Sequence, residues 1–238
     1  MQYRLGVLGG MGPQATNTFY QFVIDRTDAR TDQEHVDALI LSDSGMPDRT
    51  AAILGSEAER QAVYRRLLAD ARLLEGAGCT CIAVPCNTSH FFLDQVQEQI
   101  GIPIIHMIRE TARLLASRGL KRPGILATDG TIRTELYQKE FFAAGIEAAT
   151  PSRPAQELVM SLIYDDIKAG RDGDPQKFAA VHQDLLAQGC DCGVLACTEL
   201  SVFADKHHLP HFYTDAMAVL AERSVQACRK PLRDIFVK

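Results

Sequence analysis

Seven cysteines carry the chemistry that can be read first: Cys79, Cys81, Cys86, Cys190, Cys192, Cys197 and Cys228. Six of them form two triplets of identical spacing, C-x-C-x4-C. Cys86 and Cys197 each follow an apolar run and precede polar residues able to open a helix, Asn87-Thr88-Ser89 and Thr198-Glu199. A thiol at such a place meets the positive end of a helix dipole and nearby N–H groups, which favour the thiolate. A matched pair, one thiolate and one thiol, supplies a base for one face of a carbon and an acid for the other. Inverting a carbon stereocentre through its proton needs that pair. With each sulfur about 3–3.5 Å from the carbon, the two would stand roughly 7 Å apart. Either cysteine alone is more simply a structural thiol; the pairing is what points to catalysis.

The other cysteines carry less. Cys79, Cys81, Cys190 and Cys192 lie upstream on the same strands, and C-x-C-x4-C is not a usual zinc spacing, so they read as small buried hydrophobes. Cys228 has no evident partner. His90 lies one helical turn after Cys86, which raises a Cys–His nucleophile pair, but the helix is expected to turn it away from the site. His106 ends an apolar run and could line a cleft or cap a domain crossing.

Two turns could hold a small anion. Gly10-Met11-Gly12-Pro13-Gln14-Ala15 formally fits a dinucleotide fingerprint, without a clear acidic partner downstream. A simpler reading is a glycine turn whose N–H groups receive a carboxylate. Thr128-Asp129-Gly130-Thr131 occupies the equivalent place later in the chain. Arg49, after the second strand, could clamp a carboxylate through two hydrogen bonds, and Lys168 is a second candidate cation. Each could equally be a solvated surface charge.

These residues need elements to position them. Expected strands are Arg4–Gly9, Asp37–Ser42, Cys81–Pro85, Ile102–His106, Gly124–Ala127, Cys192–Ala196 and Phe212–Thr214. Expected helices are Pro13 to about Asp25, Glu57–Glu75, Ser89–Gln99, Thr131–Ala144, Gln156–Ala169, Pro175–Gln188 and Ala216–Cys228. Strands alternating with helices imply βαβ units and parallel sheets. The chain also repeats itself: Arg4–Thr16 aligns with Arg122–Thr134, and Cys79–Thr88 with Cys190–Glu199. The expected fold is therefore α/β, with two similar Rossmann-like lobes, parallel sheets related by a pseudo-two-fold and the active site in the cleft between them. Lobe 1 would hold 1–104 plus 210–238, and lobe 2 would hold 105–209. Ligands bind at the carboxyl edge of such sheets, where Cys86 and Cys197 fall.

Composition excludes several classes. The 238 residues carry a formal charge of -5 with no basic stripe, which argues against nucleic acid. No apolar run is long enough to cross a bilayer, and the N-terminus lacks the pattern of a signal peptide. A cytoplasmic protein is expected, and the odd cysteine count fits that better than a disulfide framework.

At Gly9-Gly10-Met11-Gly12-Pro13, Pro47-Asp48-Arg49-Thr50, Pro85-Cys86-Asn87-Thr88, Ile102-Pro103 and Cys197-Thr198-Glu199-Leu200, the sequence resembles the cofactor-independent aspartate/glutamate racemases. The likeness runs nearly end to end, and Pro-Asp-Arg-Thr favours the aspartate racemase branch. It implies a homodimer acting on a small acidic amino acid, aspartate or glutamate, with no pyridoxal phosphate, other cofactor or metal. It implies Cys86 and Cys197 as opposed acid/bases, and Asn87, Thr88, Thr128, Thr198 and Glu199 around the substrate's carboxylate and amino group. Met11 and Gln14 would sit by the first turn, and Arg49 and Lys168 would hold the side-chain carboxylate. Ala127 and Ala196 stand where relatives often have glycine, which bears on substrate preference more than on chemistry. The rival readings are a cis–trans isomerase acting on a dicarboxylate and a non-catalytic two-lobed binding protein for acidic amino acids.

Overall fold

The first apolar run, Arg4–Gly9, is strand β1, buried along almost its whole length. Pro13 opens helix α1, Pro13–Arg26, where its missing N–H costs nothing. Strand β2, Asp37–Ser42, pairs in parallel with β1. Two helices follow, α2 (Arg49–Leu54) and α3 (Glu57–Gly76). A capping box fixes the start of α3: Ser56 Oγ accepts from Glu59 N, and the Glu59 carboxylate accepts from Ser56 N at 2.6 Å. Val63, Leu67, Ala71 and Leu74 make its buried face. Strand β3 (Cys81–Ala83), helix α4 (His90–Gln97) and strand β4 (Ile104–Ile105) complete a parallel sheet of order β2-β1-β3-β4. β2 is an edge strand, and it leaves Leu39 and Ile40 each 38% exposed.

The chain then runs through α5 (Met107–Ser117), β5 (Pro123–Leu126), α6 (Asp129–Arg133), α7 (Leu136–Ala143), α8 (Arg153–Ser161) and α9 (Pro175–Ala187). It continues with β6 (Cys192–Leu195), α10 (Thr198–His207), β7 (Tyr213–Asp215) and α11 (Ala216–Ala227). The second sheet is parallel, of order β5-β6-β7. This is a computed structural model, and it describes residues 3–234. Among the described residues no helix is long and apolar enough to cross a membrane.

The chain divides into two units, one running up to Met107 and resuming at Ala218, the other spanning Ile108–Met217. The sequence places the crossings at 104/105 and 209/210. The second differs because Tyr213–Asp215 is hydrogen-bonded to Gly193–Leu195, which keeps that stretch in the second sheet.

The internal repeat extends into side-chain packing. Ala149 bridges Gly124 in parallel, so the second unit runs Ala149-β5-β6-β7 where the first runs β2-β1-β3-β4. A Cβ at Gly6 would lie 3.3 Å from Leu74 Cβ, and one at Gly124 only 2.5 Å from Leu185 Cδ2. Thr16 Oγ1 donates to Gly12 O at 3.0 Å, and its repeat partner Thr134 donates to Gly130 O at 2.6 Å.

Several boundaries differ from those read in the sequence. The expected helix Thr131–Ala144 is two, because Glu135 takes the left-handed conformation (φ 57) between α6 and α7. The expected helix Gln156–Ala169 is α8 followed by a π-helical turn, Leu162–Ile167. α2 and α5 are helices that the sequence pattern does not announce.

Candidate active site

On the first unit, the candidate residues gather at the carboxyl ends of the strands. The turn after β1 is shaped by Thr16, whose Oγ1 accepts from Gly10 N at 2.8 Å. Gly10 has φ +90, and a Cβ there would lie 2.4 Å from the backbone of Asp43, so only glycine fits. The Gly10 N–H is thus engaged by Thr16 within the turn. Met11 is buried and accepts a hydrogen bond from Ser89 at its sulfur. Gln14 is exposed on the first turn of α1.

Arg49 opens α2 and sends its guanidinium back along the same edge. It donates to the carbonyls of Pro47 at 2.9 Å, Met11 at 3.3 Å and Met46 at 3.4 Å. It thus ties the β2–α2 loop to the glycine turn. Asp43 braces that loop through Gly45 N and a bidentate pair with Arg66 at 2.6 and 2.8 Å.

Cys86 follows β3 in a buried turn with Asn87, Thr88 and Ser89. Helix α4 begins only at His90, so the thiol does not cap it, contrary to the sequence reading. His90 is itself buried; its Nδ1 lies 3.0 Å from Cys86 O and its Nε2 accepts from Met107 N at 3.1 Å.

The second unit has a tighter cluster. Cys197 is the N-cap residue of α10, with extended backbone, and Thr198 and Glu199 form the first turn. The Cys197 thiol donates to Glu199 Oε2 at 2.9 Å, and Lys168 Nζ donates to Glu199 Oε1 at 2.7 Å. Thr198 Oγ1 stands 3.5 Å from the same Oε2. Lys168 reaches this position from the end of the π-helical turn, where its N–H bonds Ile163 O at 3.0 Å. Its ammonium also lies 5.6 Å from the centre of the Tyr164 ring. Thr128 caps α6, accepting from Thr131 N.

The electrostatics at Cys197 reverse the sequence expectation. Burial, then the Glu199 carboxylate, push its thiol well above the ordinary value, with Lys168 opposing. The helix dipole is outweighed, because a carboxylate in hydrogen-bond contact acts at shorter range than the dipole's partial charge. Tyr137, wholly buried, is pushed up in the same way by burial and by Asp215 and Cys197. Tyr137 carries no motif that marks it in the sequence, whereas Thr16 falls within the internal repeat. Gln156 is likewise unmarked by any motif; it donates to Ala127 O and Asp129 Oδ1 at 3.0 and 2.8 Å, bracing the turn that holds Thr128.

The remaining cysteines are buried, and Cys228 hydrogen-bonds Cys81. Among the described residues no group of three or more His, Cys, Asp or Glu could hold a metal ion.

The chain belongs to the Asp/Glu/hydantoin racemase family, which it matches over residues 8–223. That membership defines it as an amino-acid racemase. It is 27% identical over 225 residues to a broad-specificity amino-acid racemase, RacX, of Bacillus subtilis, covering 93% of this chain and 96% of that one. Its structure is similar to an aspartate racemase of Picrophilus torridus, with a TM-score of 0.81 at 26% identity, covering 97% of this chain and 96% of that one. A glutamate racemase of Francisella tularensis, solved in complex with D-glutamate, shares the fold at 18% identity, with a TM-score of 0.68 over 94% of this chain and 80% of that one.

Proposed function

We propose that this racemase interconverts L- and D-aspartate, or the glutamate pair, by a two-base mechanism without cofactor, with Cys86 and Cys197 as the acid/bases. The observation that carries the reading is the Cys197–Glu199–Lys168 cluster at the head of α10. It holds one thiol protonated, ready to deliver a proton, and leaves Cys86 to act as the first base. In the reverse direction the roles exchange. As Cys197 gives up its proton, Lys168 and the helix N-terminus offset the new negative charge.

Asn87 and Thr88 beside Cys86, and Thr128 and Thr198 on the second unit, are assigned to the substrate's carboxylate and amino group. Arg49 and Lys168 supply the positive charge for a second carboxylate, while Met11 and Gln14 flank the first turn. Lys168 can answer a substrate carboxylate only by loosening its hold on Glu199, which links binding to the state of Cys197. The enzyme is taken to act as a cytoplasmic homodimer, as the residue-level resemblance implies, and light scattering on the purified chain checks its mass.

A second reading concerns breadth rather than chemistry. A cavity of about 720 Å³ opens beside Asp129, bounded by Arg153, Gln156, Met160, Tyr164 and Asp165, among others. The likeness to a broad-specificity racemase supports acceptance of amino acids other than aspartate, while the cavity is lined by neither cysteine and adds nothing to that reading. Proton NMR in heavy water across a panel of L-amino acids, followed by chiral separation, tests both readings. Loss of the α-proton signal with appearance of the D-form names the substrates. Binding without exchange would leave only the non-catalytic alternative.

A further inference from the structure

His90 is left without a role by the mechanism, yet it is one of the few wholly enclosed polar side chains near Cys86, at 3% exposure. Two backbone groups at this site bond to a side chain rather than along a helix. The Cys86 carbonyl is not taken up by a helical i+4 bond, because His90 N turns instead to Asn87 O at 3.0 Å. The Met107 N–H is the first of helix α5, where no carbonyl of the same helix can receive it. One imidazole serves both: Nδ1 lies 3.0 Å from Cys86 O, and Nε2 lies 3.1 Å from Met107 N.

The Met107 contact fixes the ring's tautomer. A backbone N–H can only donate, so Nε2 must present its lone pair, and the proton must sit on Nδ1, pointing at Cys86 O. An imidazolium, or the opposite tautomer, would set two N–H groups against each other at Met107. His106 packs edge-on to the His90 ring at 4.8 Å between centres, which restricts its tilt.

We infer that His90 is a positioning residue: a neutral Nδ1–H imidazole that clamps the Cys86 turn to the start of α5 and so fixes the direction of the Cys86 thiol. This rests on the assignment of Cys86 as an acid/base. The imidazole touches no substrate and exchanges no proton in the reaction. Its effect is on the geometry of proton transfer, where small misplacement costs rate rather than binding.

The test compares His90→Phe, which fills the space without polar atoms, with His90→Gln, whose amide can both donate and accept. Positioning predicts that His90→Phe lowers kcat by roughly ten- to a hundredfold while KM moves by less than about threefold, and that His90→Gln recovers most of the loss. Alkylation of Cys86, followed by peptide mass spectrometry, should change its rate in the Phe variant while alkylation of Cys197 does not. A Phe variant that melts with the parent enzyme and keeps its kcat would overturn the inference. Where the Phe variant does not fold, NMR of isotope-labelled imidazole nitrogens in the parent enzyme decides. An Nδ1–H tautomer at His90 supports the clamp; an Nε2–H tautomer or a charged ring contradicts it. Racemisation that survives Cys86→Ala is a different failure, since it removes the assignment of Cys86 itself.

Discussion

The Cys197 thiol donates a 2.9 Å hydrogen bond to the carboxylate of Glu199, two residues ahead on the same helix turn. Strand β6 delivers Cys197 to the N-cap position, and α10 turns Glu199 back towards it. A negative group in contact with a thiol opposes its ionisation, and burial acts in the same sense at Cys197.

Removing the charge from Glu199 should therefore make Cys197 easier to ionise. Glu199→Gln is expected to shift the pH dependence of Cys197 alkylation to lower pH, since burial and the Glu199 charge together hold the thiol up. The same variant should lose racemase activity, because its resting protonation is no longer ordered. Alkylation rates read by peptide mass spectrometry from neutral to alkaline pH check the shift, and an unmoved profile counts against the pair.

Lys168 acts in the opposite sense. Lys168→Met removes the cation that favours the thiolate, so Cys197 should alkylate more slowly at a given pH. It also leaves the buried Glu199 carboxylate without its ion-pair partner. For an acidic substrate the variant should raise KM as well as lower kcat. Steady-state kinetics with aspartate separate the two effects, and a KM equal to the parent's would remove Lys168 from side-chain binding.

Gly10 tests the first turn. Alanine there would meet the Asp43 backbone at 2.4 Å and adopt a strained positive φ. Neither can relax without moving β2 away from β1, so Gly10→Ala should cost roughly 3 kcal/mol or more. Denaturant titration reads the loss; a midpoint unchanged from the parent would mean the turn is looser than this packing.

A pH effect on stability should come from Asp70. Burial, then the nearby Asp43 charge, raise its carboxyl to about 6. In the unfolded chain it ionises near its ordinary value of 3.8. Between these values the folded protein holds a proton that the unfolded chain has released, so this group's contribution to stability falls as pH rises through that window. Asp43, held low by Arg66, contributes in the opposite direction. Asp70→Asn should thus gain on the parent in melting temperature from pH 4 to pH 7, and parallel curves would argue against the coupling.

The parts of this account legible in the sequence are those written in local pattern. β1 and β2 follow from apolar runs closed by turns, and the two strand-end cysteines follow from a repeat that reaches even to Thr16 and Thr134. The parts that were not legible depend on contacts across the chain. Lys168 and Glu199 are 31 residues apart, and Lys168 meets the carboxylate from the end of the π-helical turn at Leu162–Ile167. Glu135 splits a continuous helical pattern with one left-handed residue. The bonds of His90 to Cys86 O and Met107 N were not legible either, because they depend on the three-residue turn that delays α4 and on a residue 17 positions away.

Two sulfurs serving opposite faces of one carbon can be told apart by single removal. Incubating Cys86→Ala and Cys197→Ala separately with L- and D-aspartate in heavy water tests this arrangement most directly. Each variant keeps one acid/base, so it can remove and return hydrogen on one face only. Neither variant should invert its substrate, and each should exchange the α-proton of one enantiomer, the opposite one for the two variants. Inversion by either variant, or exchange of the same enantiomer by both, would contradict this arrangement.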